Sequence, residues 1–90
     1  MNNEQLAYKV AKKSRQSGVP ASAPAITKVL DAITQSSVGW YFERKNILKL
    51  CQLCELQCGT SLHILKRFGV LEFAGQGRYK IKNDICFFNN

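Results

Sequence analysis

The sequence lacks a long apolar run, and this absence excludes one class of protein. None of its apolar stretches approaches the roughly 20 residues needed to cross a bilayer. Residues 1–5 are polar and are not followed by the apolar block of a secretory signal. We therefore expect a cytoplasmic protein with no membrane-spanning segment. The length of 90 residues predicts one compact domain.

The sequence also lacks the groups of side chains on which common enzymes rely. Histidine occurs once, at His63, and there is no carboxylate pair, nucleophile–histidine motif or phosphate-cradling glycine loop. The turn Gly75-Gln76-Gly77 has two glycines, too few for a nucleotide site. We therefore predict that the protein is not an enzyme and has no cofactor.

Acidic residues are scarce, since six Asp and Glu stand against thirteen Lys and Arg and leave a formal net charge of +7. The excess is spread along the chain: residues 1–37 carry five positive and two negative charges, and residues 38–90 carry eight and four. A field of this sign on a small surface attracts polyanions. Nucleic acid is the partner we expect first, with an anionic membrane surface or an acidic protein as alternatives.

Paired Cys-x2-Cys knuckles are absent, although the chain has four cysteines. Cys51, Cys54 and Cys58 have a spacing that would allow a metal site, with Cys86 or His63 as a fourth ligand. The same three positions fit the apolar faces of two predicted helices, and free cysteine behaves as a small buried hydrophobe. We predict core thiols and no metal, and keep metal binding and a redox switch as alternatives.

The apolar residues of the N-terminal part predict two helices. The first covers residues 3–16, where apolar residues are mixed with Lys and Arg. The second starts near Ala25, and its apolar residues recur at i, i+3, i+4 and i+7, on one helix face. They are Ile26, Val29, Leu30 and Ile33.

A break separates these two helices. It contains Gly18, Pro20 and Pro24, which stop regular structure. We therefore divide the chain into an N-terminal helix that is a candidate dimerisation arm, a linker and the main domain. These are residues 1–17, 18–24 and 25–90.

The middle of the chain predicts a short extended segment and then two helices. Trp40-Tyr41-Phe42 is rich in strand formers and too short for a helix, and we expect it in the core. One helix starts near Glu43, and the next ends before Gly69. Their apolar faces are Ile47, Leu50, Cys51 and Cys54, and then Cys58, Leu62, Leu65 and Phe68.

The start of the second of these helices has two interpretations. Gly59 inside a helix costs about 1 kcal/mol relative to Ala, which favours a late start with Thr60 as the N-cap. A longer helix instead places Gln57 near its start. We favour the longer helix.

The C-terminal part predicts a β-hairpin. Residues 70–73 form one strand, 74–77 a flexible turn, and 78–82 alternate charged and apolar side chains as a half-exposed strand does. The apolar tail 85–88 needs a cover, from the core or from a partner.

From the second helix onward the predicted order is helix, extended segment, helix, turn, helix and hairpin. It resembles the winged helix-turn-helix family, most tellingly where Leu62 and Leu65 precede Gly69 and Val70-Leu71 then enters a strand. The resemblance covers about two thirds of the chain, through residues 42–48, 62–72 and 75–81. It implies an α+β, mainly α fold: a winged helix-turn-helix with an extra N-terminal helix and a C-terminal β-hairpin wing.

In this family the recognition helix lies in the major groove, where base edges present distinct donors and acceptors. On a helical wheel the outward residues are Thr60, His63 and Arg67, flanked by Gly59, Ile64 and Lys66. The candidate base contacts are Gln57, Thr60 and His63, and the candidate phosphate contacts are Lys66 and Arg67. Further candidate contacts lie on the preceding helix (Arg44, Lys45 and Lys49) and at the wing (Arg78 and Lys80).

These observations predict a sequence-specific protein that binds double-stranded DNA. We expect a homodimeric transcriptional regulator, or a replication or partition factor of the plasmid or phage type, because one such unit reads only a few base pairs. The alternative is a small interaction module or inhibitor with the same fold that binds another protein.

Overall fold

The computed structural model describes residues 2–36 and 41–81, which form four helices and a three-stranded antiparallel sheet. The helices are α1 (Asn3–Gln16), α2 (Ala23–Ser36), α3 (Arg44–Leu50) and α4 (Glu55–Arg67). The strands are β1 (Tyr41–Glu43), β2 (Leu71–Gly75) and β3 (Arg78–Ile81). The fold is therefore α+β and mainly α, as predicted. None of the helices in these two ranges is long and apolar enough to cross a bilayer.

Helix α1 begins with a capping box. Asn2 Oδ1 accepts a hydrogen bond from the Gln5 backbone N–H (2.8 Å), and Gln5 Oε1 accepts one from the Asn2 N–H (3.0 Å). The two bonds satisfy donors that a helix start leaves free. The apolar face of α1 packs into the same core as α2 and α4. Its buried apolar residues are Leu6, Ala7, Val10 and Ala11.

Polar contacts hold both ends of α1. Near its start, Asn3 Nδ2 donates hydrogen bonds to Asp31 Oδ1 (2.9 Å) and Thr34 Oγ1 (3.2 Å) of α2. Near its end, the buried Ser14 hydroxyl donates to the Val19 carbonyl (2.9 Å). Buried polar groups require partners of this kind, so α1 is fixed in position against α2. Its role as a dimerisation arm stays a prediction.

Helix α2 begins inside the predicted linker 18–24, at Ala23 rather than near Ala25. Ser22 Oγ accepts a hydrogen bond from the Ala25 N–H (3.3 Å), which is how a serine caps a helix start. Pro24 follows in the first turn, where proline is tolerated because its missing N–H would have no helical partner. The connection is therefore shorter than predicted.

The sheet has the strand order β1-β3-β2. Phe42, Tyr79 and Phe73 lie side by side across it, with Phe42 stacked on Tyr79 (5.5 Å between ring centroids) and Phe73 edge-on to Tyr79 (5.5 Å). This row and the buried pair Leu71 and Ile81 share one sheet face, because alternate residues of a strand point the same way.

The turn of the hairpin is shorter than the predicted 74–77. Strand β2 continues to Gly75, with a register irregularity after Phe73, and only Gln76 and Gly77 connect it to β3. Both have positive φ (53° and 73°), the conformation of a tight two-residue hairpin turn. Lys82 of the predicted strand 78–82 lies outside the described residues.

The core confirms most of the predicted apolar faces. Its largest fully buried side chains include Ile26, Leu30, Ile33, Ile47, Leu62 and Leu65. Phe42 is buried as expected, whereas Tyr41 is 42% exposed because it lies on the opposite face of β1. Trp40 and the tail 85–88 fall outside the described ranges.

Two residues assigned to the apolar faces of these helices, Leu50 and Cys54, are exposed instead, and Ile64 is buried contrary to expectation. Helix α3 ends at Leu50, which is 45% exposed, and Cys54 is exposed because it lies beyond α3, at the N-cap of α4. Phe68 is half-buried and packs against the core, as the apolar spacing predicts. Ile64, expected beside the outward face, is 1% exposed.

Candidate nucleic-acid interface

Residues 51–54 form the turn that orients α4 against α3. Cys51 closes α3 with a hydrogen bond from its N–H to the Ile47 carbonyl (2.9 Å). Gln52 then has φ of 57°, a left-handed conformation that turns the chain and that glycine adopts more easily. Helix α4 begins at Glu55. The carboxylate of Glu55 lies in the first turn, where a negative charge interacts favourably with the helix dipole.

This start confirms the longer of the two helices that the sequence allows. Helix α4 spans 13 residues, and Thr60 lies inside it rather than at its N-cap. Gly59 is therefore a helix-interior glycine.

The side chain of Arg44 explains why a glycine occupies position 59 inside α4. A Cβ atom at this position would lie 2.9 Å from Arg44 Nη2, closer than ordinary van der Waals contact. The glycine thus gives the Arg44 guanidinium room against the surface of α4. Arg44 Nη1 also lies 3.7 Å from Glu55 Oε1, and its side chain is 35% exposed. This predicted phosphate contact therefore neutralises the acidic first turn of α4.

The outward face of α4 carries the five predicted residues. All of them are exposed, while the opposite face is buried through Cys58, Leu62 and Leu65. The exposed residues are Gln57, Thr60, His63, Lys66 and Arg67. Their predicted orientation is confirmed, and their contacts with DNA stay a prediction.

The cations near the end of α4 and at the hairpin lie on aromatic rings. Lys66 Nζ is 5.6 Å from the centroid of the Phe73 ring, Arg67 Cζ is 5.8 Å from that of Phe68, and Arg78 Cζ is 5.6 Å from that of Tyr41. Cation–π contacts of this length are attractive and leave the charge at the surface. The aromatic rings therefore limit the positions of these three cations.

The hairpin turn is attached to the start of α3. The Arg44 N–H donates a hydrogen bond to the Gly77 carbonyl (3.0 Å). Because the guanidinium of the same arginine lies on Gly59, Arg44 connects the turn of the hairpin to the surface of α4. The predicted wing and the predicted recognition helix are thus neighbours.

The remaining predicted cations differ in their surroundings. Lys45 Nζ lies 3.3 Å from Glu43 Oε2. On the outer sheet face, Arg78 pairs in register with Glu43, and Lys80 with Glu72. Lys49 is exposed and is in neither of the two ion pairs found in residues 2–36 and 41–81. Among the candidate contacts, Lys66, Arg67 and Lys49 are therefore neither in these ion pairs nor in register with a carboxylate on the sheet.

Sequence reasoning missed Leu56, which is 78% exposed. It lies between two surface clefts, one of about 650 Å³ on the side of Arg44 and His63 and one of about 380 Å³ on the side of Pro20 and Ala25. Leu56 and Thr60 line both clefts and form the ridge between them. In the sequence, Leu56 stands four residues before Thr60, a spacing that places both side chains on one helix face and could have indicated its exposure.

The cysteines separate into a buried pair and an exposed thiol. Cys51 and Cys58 are 3% and 0% exposed, and Cys54 is exposed. Burial raises the pKa of the Cys58 thiol to about 12, with a further contribution from the neighbouring Cys51. In the part of the chain that the structure describes, no three His, Cys, Asp or Glu side chains are grouped to hold a metal ion. Cys86 falls outside that part.

Comparisons with protein-family models, with curated proteins and with solved structures give no match to this chain.

Proposed function

We propose that this protein is a winged helix-turn-helix protein that binds double-stranded DNA sequence-specifically. Helices α2, α3 and α4 form the helical part, with α4 as the recognition helix, and the β2–β3 hairpin is the wing. The proposal is supported by the order of elements and by the short strand β1, which closes the sheet against β3.

The observation that carries the proposal is the division of α4 into a buried and an exposed face. An α-helix with its side chains is about 10–12 Å wide and fits the major groove, which is about 12 Å wide. Cys58, Leu62 and Leu65 anchor its inner face, so Thr60 and His63 stay free to meet base edges. The 13 residues of α4 give a length of about 20 Å.

The charges around this face fit a duplex. Lys66 and Arg67 lie in the last turn of α4, Lys49 lies in the last turn of α3, and Arg78 adjoins the hairpin turn. Lys66 and Arg67 lie on the same helix as the polar face, within about one turn of His63. We assign the four cations to the phosphates, which supply affinity and orientation, and the polar face to the bases, which supply specificity.

We further propose that the active form is a homodimer acting as a transcriptional, replication or partition factor. A single recognition helix reads few base pairs, and a second copy adds a half-site at a fixed distance. Helix α1 offers an exposed Tyr8, 61% accessible, away from the buried face that holds it to α2.

The salt dependence of duplex binding tests the proposal. Log affinity should fall linearly with log salt, and Lys66→Ala/Arg67→Ala should lower the magnitude of the slope by about 1.8, since each phosphate contact contributes about 0.9. The matched control is Lys9→Ala/Lys12→Ala, which removes the same charge from the exposed face of α1. Equal slope changes in both variants would point to general charge attraction and contradict the assigned interface.

A protein-interaction module is the second candidate, and the exposed Leu56 favours it, because a large apolar side chain at the surface often meets a protein partner. The two functions separate at low salt. Failure to bind any duplex there would overturn DNA binding and leave the interaction module.

A further inference from the structure

We propose that the first half of α4 reads A·T base pairs, with Leu56 packed against thymine methyl groups and Gln57 bound to adenine. This inference rests on the proposed DNA binding and adds the bases that are read.

Leu56 is the most exposed of the large hydrophobic side chains in residues 2–36 and 41–81, at 78%. It lies on the face that carries Thr60 and His63, because positions i, i+4 and i+7 of a helix share a face. Burying an apolar side chain is favourable only if the partner offers apolar surface. The C5-methyl of thymine is the apolar group that the base pairs present in the major groove. An exposed leucine on a recognition helix therefore selects for thymine.

Gln57 and Thr60 complete this chemistry. Both line the 380 Å³ cleft together with Leu56, so the three side chains can act on neighbouring base pairs. A glutamine amide donates to adenine N7 and accepts from adenine N6, which forms a bidentate pair. The methyl group of threonine also packs on thymine.

The positions of the charges agree with this selection. Guanine is most often read by Arg or Lys, and α4 has neither between Glu55 and Leu65. Glu55, whose carboxylate would accept from cytosine, lies 3.7 Å from Arg44. The cations of α4 come only in its last turn, at Lys66 and Arg67. The first half of α4 thus contributes few groups that select G·C pairs, and the guanidinium beside it, that of Arg44, is paired with Glu55.

The first experiment selects bound duplexes from a random pool using the full chain. We expect A·T pairs at the centre of each half-site. The second replaces thymine by uracil, one position at a time, which removes only the methyl group. At the thymine that contacts Leu56, we expect affinity to fall roughly fourfold, the factor that burial of one methyl-sized group contributes.

Two variants locate this effect. In Leu56→Ala the replacement by uracil should no longer change affinity at that position. In Leu50→Ala, which truncates another exposed leucine outside both clefts, the fourfold effect should persist. Both side chains are exposed, so both variants should keep the helical circular dichroism and melting temperature of the natural sequence. If either does not, the uracil series on the natural sequence still decides the question.

The outcomes distinguish this inference from the proposed function. Selection of G·C-rich sites, or affinity unchanged by uracil at every position, with a normal salt slope, overturns the reading of thymine and leaves DNA binding in place. Failure to bind any duplex at low salt overturns both.

Discussion

The two ends of α4 differ in chemistry and in what holds them. The first half has an uncharged exposed ridge, and its one acidic side chain, Glu55, is neutralised by Arg44 of α3. The last turn carries Lys66 and Arg67, which lie on the rings of Phe73 and Phe68. Base reading and phosphate contact are thus separated along one helix in the function we propose, and each end is positioned by a different neighbour.

Changes next to the first half of α4 should act through Arg44 of α3 and Cys51 of the turn 51–54, which lie against it. The largest expected effect comes from the thiol of Cys58. Its pKa is about 12 in the folded chain against 9.0 for an ordinary thiol, so the unfolded chain loses this proton first as the pH rises. Its contribution to stability is complete below about pH 9, and the free energy of unfolding should fall as the pH rises above that value, by at most about 1.4 kcal/mol per pH unit.

Urea unfolding between about pH 8 and pH 11, an interval that starts near the ordinary pKa of a thiol, measures this slope by circular dichroism with a reductant present. The matched control is Cys58→Ala, because every other ionisable group is present in both proteins. The variant should lose less stability than the natural sequence over the same interval. Parallel curves for the two proteins would show that Cys58 is not protected as described.

A smaller effect should follow from relieving the turn before α4. Gln52→Gly should stabilise the protein by about 1 kcal/mol, because a left-handed backbone is unfavourable for a residue with a Cβ atom. The same substitution at Gln57, inside α4, should destabilise it by about 1 kcal/mol. Denaturant midpoints of the two variants measure both changes. A loss of stability in Gln52→Gly would mean that the Gln52 side chain contributes more than its backbone costs.

The smallest effect is expected at Gly59. Gly59→Ala should stabilise α4 by about 1 kcal/mol through the higher helix propensity of alanine. The new Cβ atom would lie only 2.9 Å from Arg44 Nη2, so the guanidinium has to move away. The guanidinium ends a flexible side chain and its ion pair is partly exposed, so the loss is below about 1 kcal/mol. We expect the free energy of unfolding to rise by roughly a few tenths of a kcal/mol, the difference between these two effects.

The control for this prediction is Gly59→Ala in an Arg44→Ala background, where nothing has to move. The gain in unfolding free energy should be larger there, approaching the helix propensity alone. An equal gain in both backgrounds would show that Arg44 does not depend on the room at Gly59.

The sequence predicted the local features of the candidate interface well. The spacing of Cys58, Leu62 and Leu65 predicted that His63 and Arg67 face outward, and both are exposed. The alternation in residues 78–82 predicted β3. Such patterns are readable because helix and strand periods depend only on the backbone.

The errors concern where a helix ends and which elements cover its sides. Cys54 fits a helical stripe but is exposed, because α3 ends at Leu50 and the left-handed Gln52 then turns the chain before α4. Nothing in the structure explains the exposure of Leu50, which lies inside α3. Ile64 was expected at the surface, but α2 and the loop before it cover that side of α4. Periodicity predicts the direction in which a side chain points, but it does not predict whether another element packs over that side chain.

The sequence by itself determined the charge, the helical and strand periods and the direction in which α4 presents its polar residues, since these follow from side-chain chemistry and backbone geometry. Only the tertiary structure decided that α1 joins the core, that β1 pairs with β3, that Arg44 lies over Gly59 and that Leu56 is left exposed. Each of these depends on residues far apart in the chain meeting in space. Their energies are therefore fixed by packing rather than by any one segment's preference.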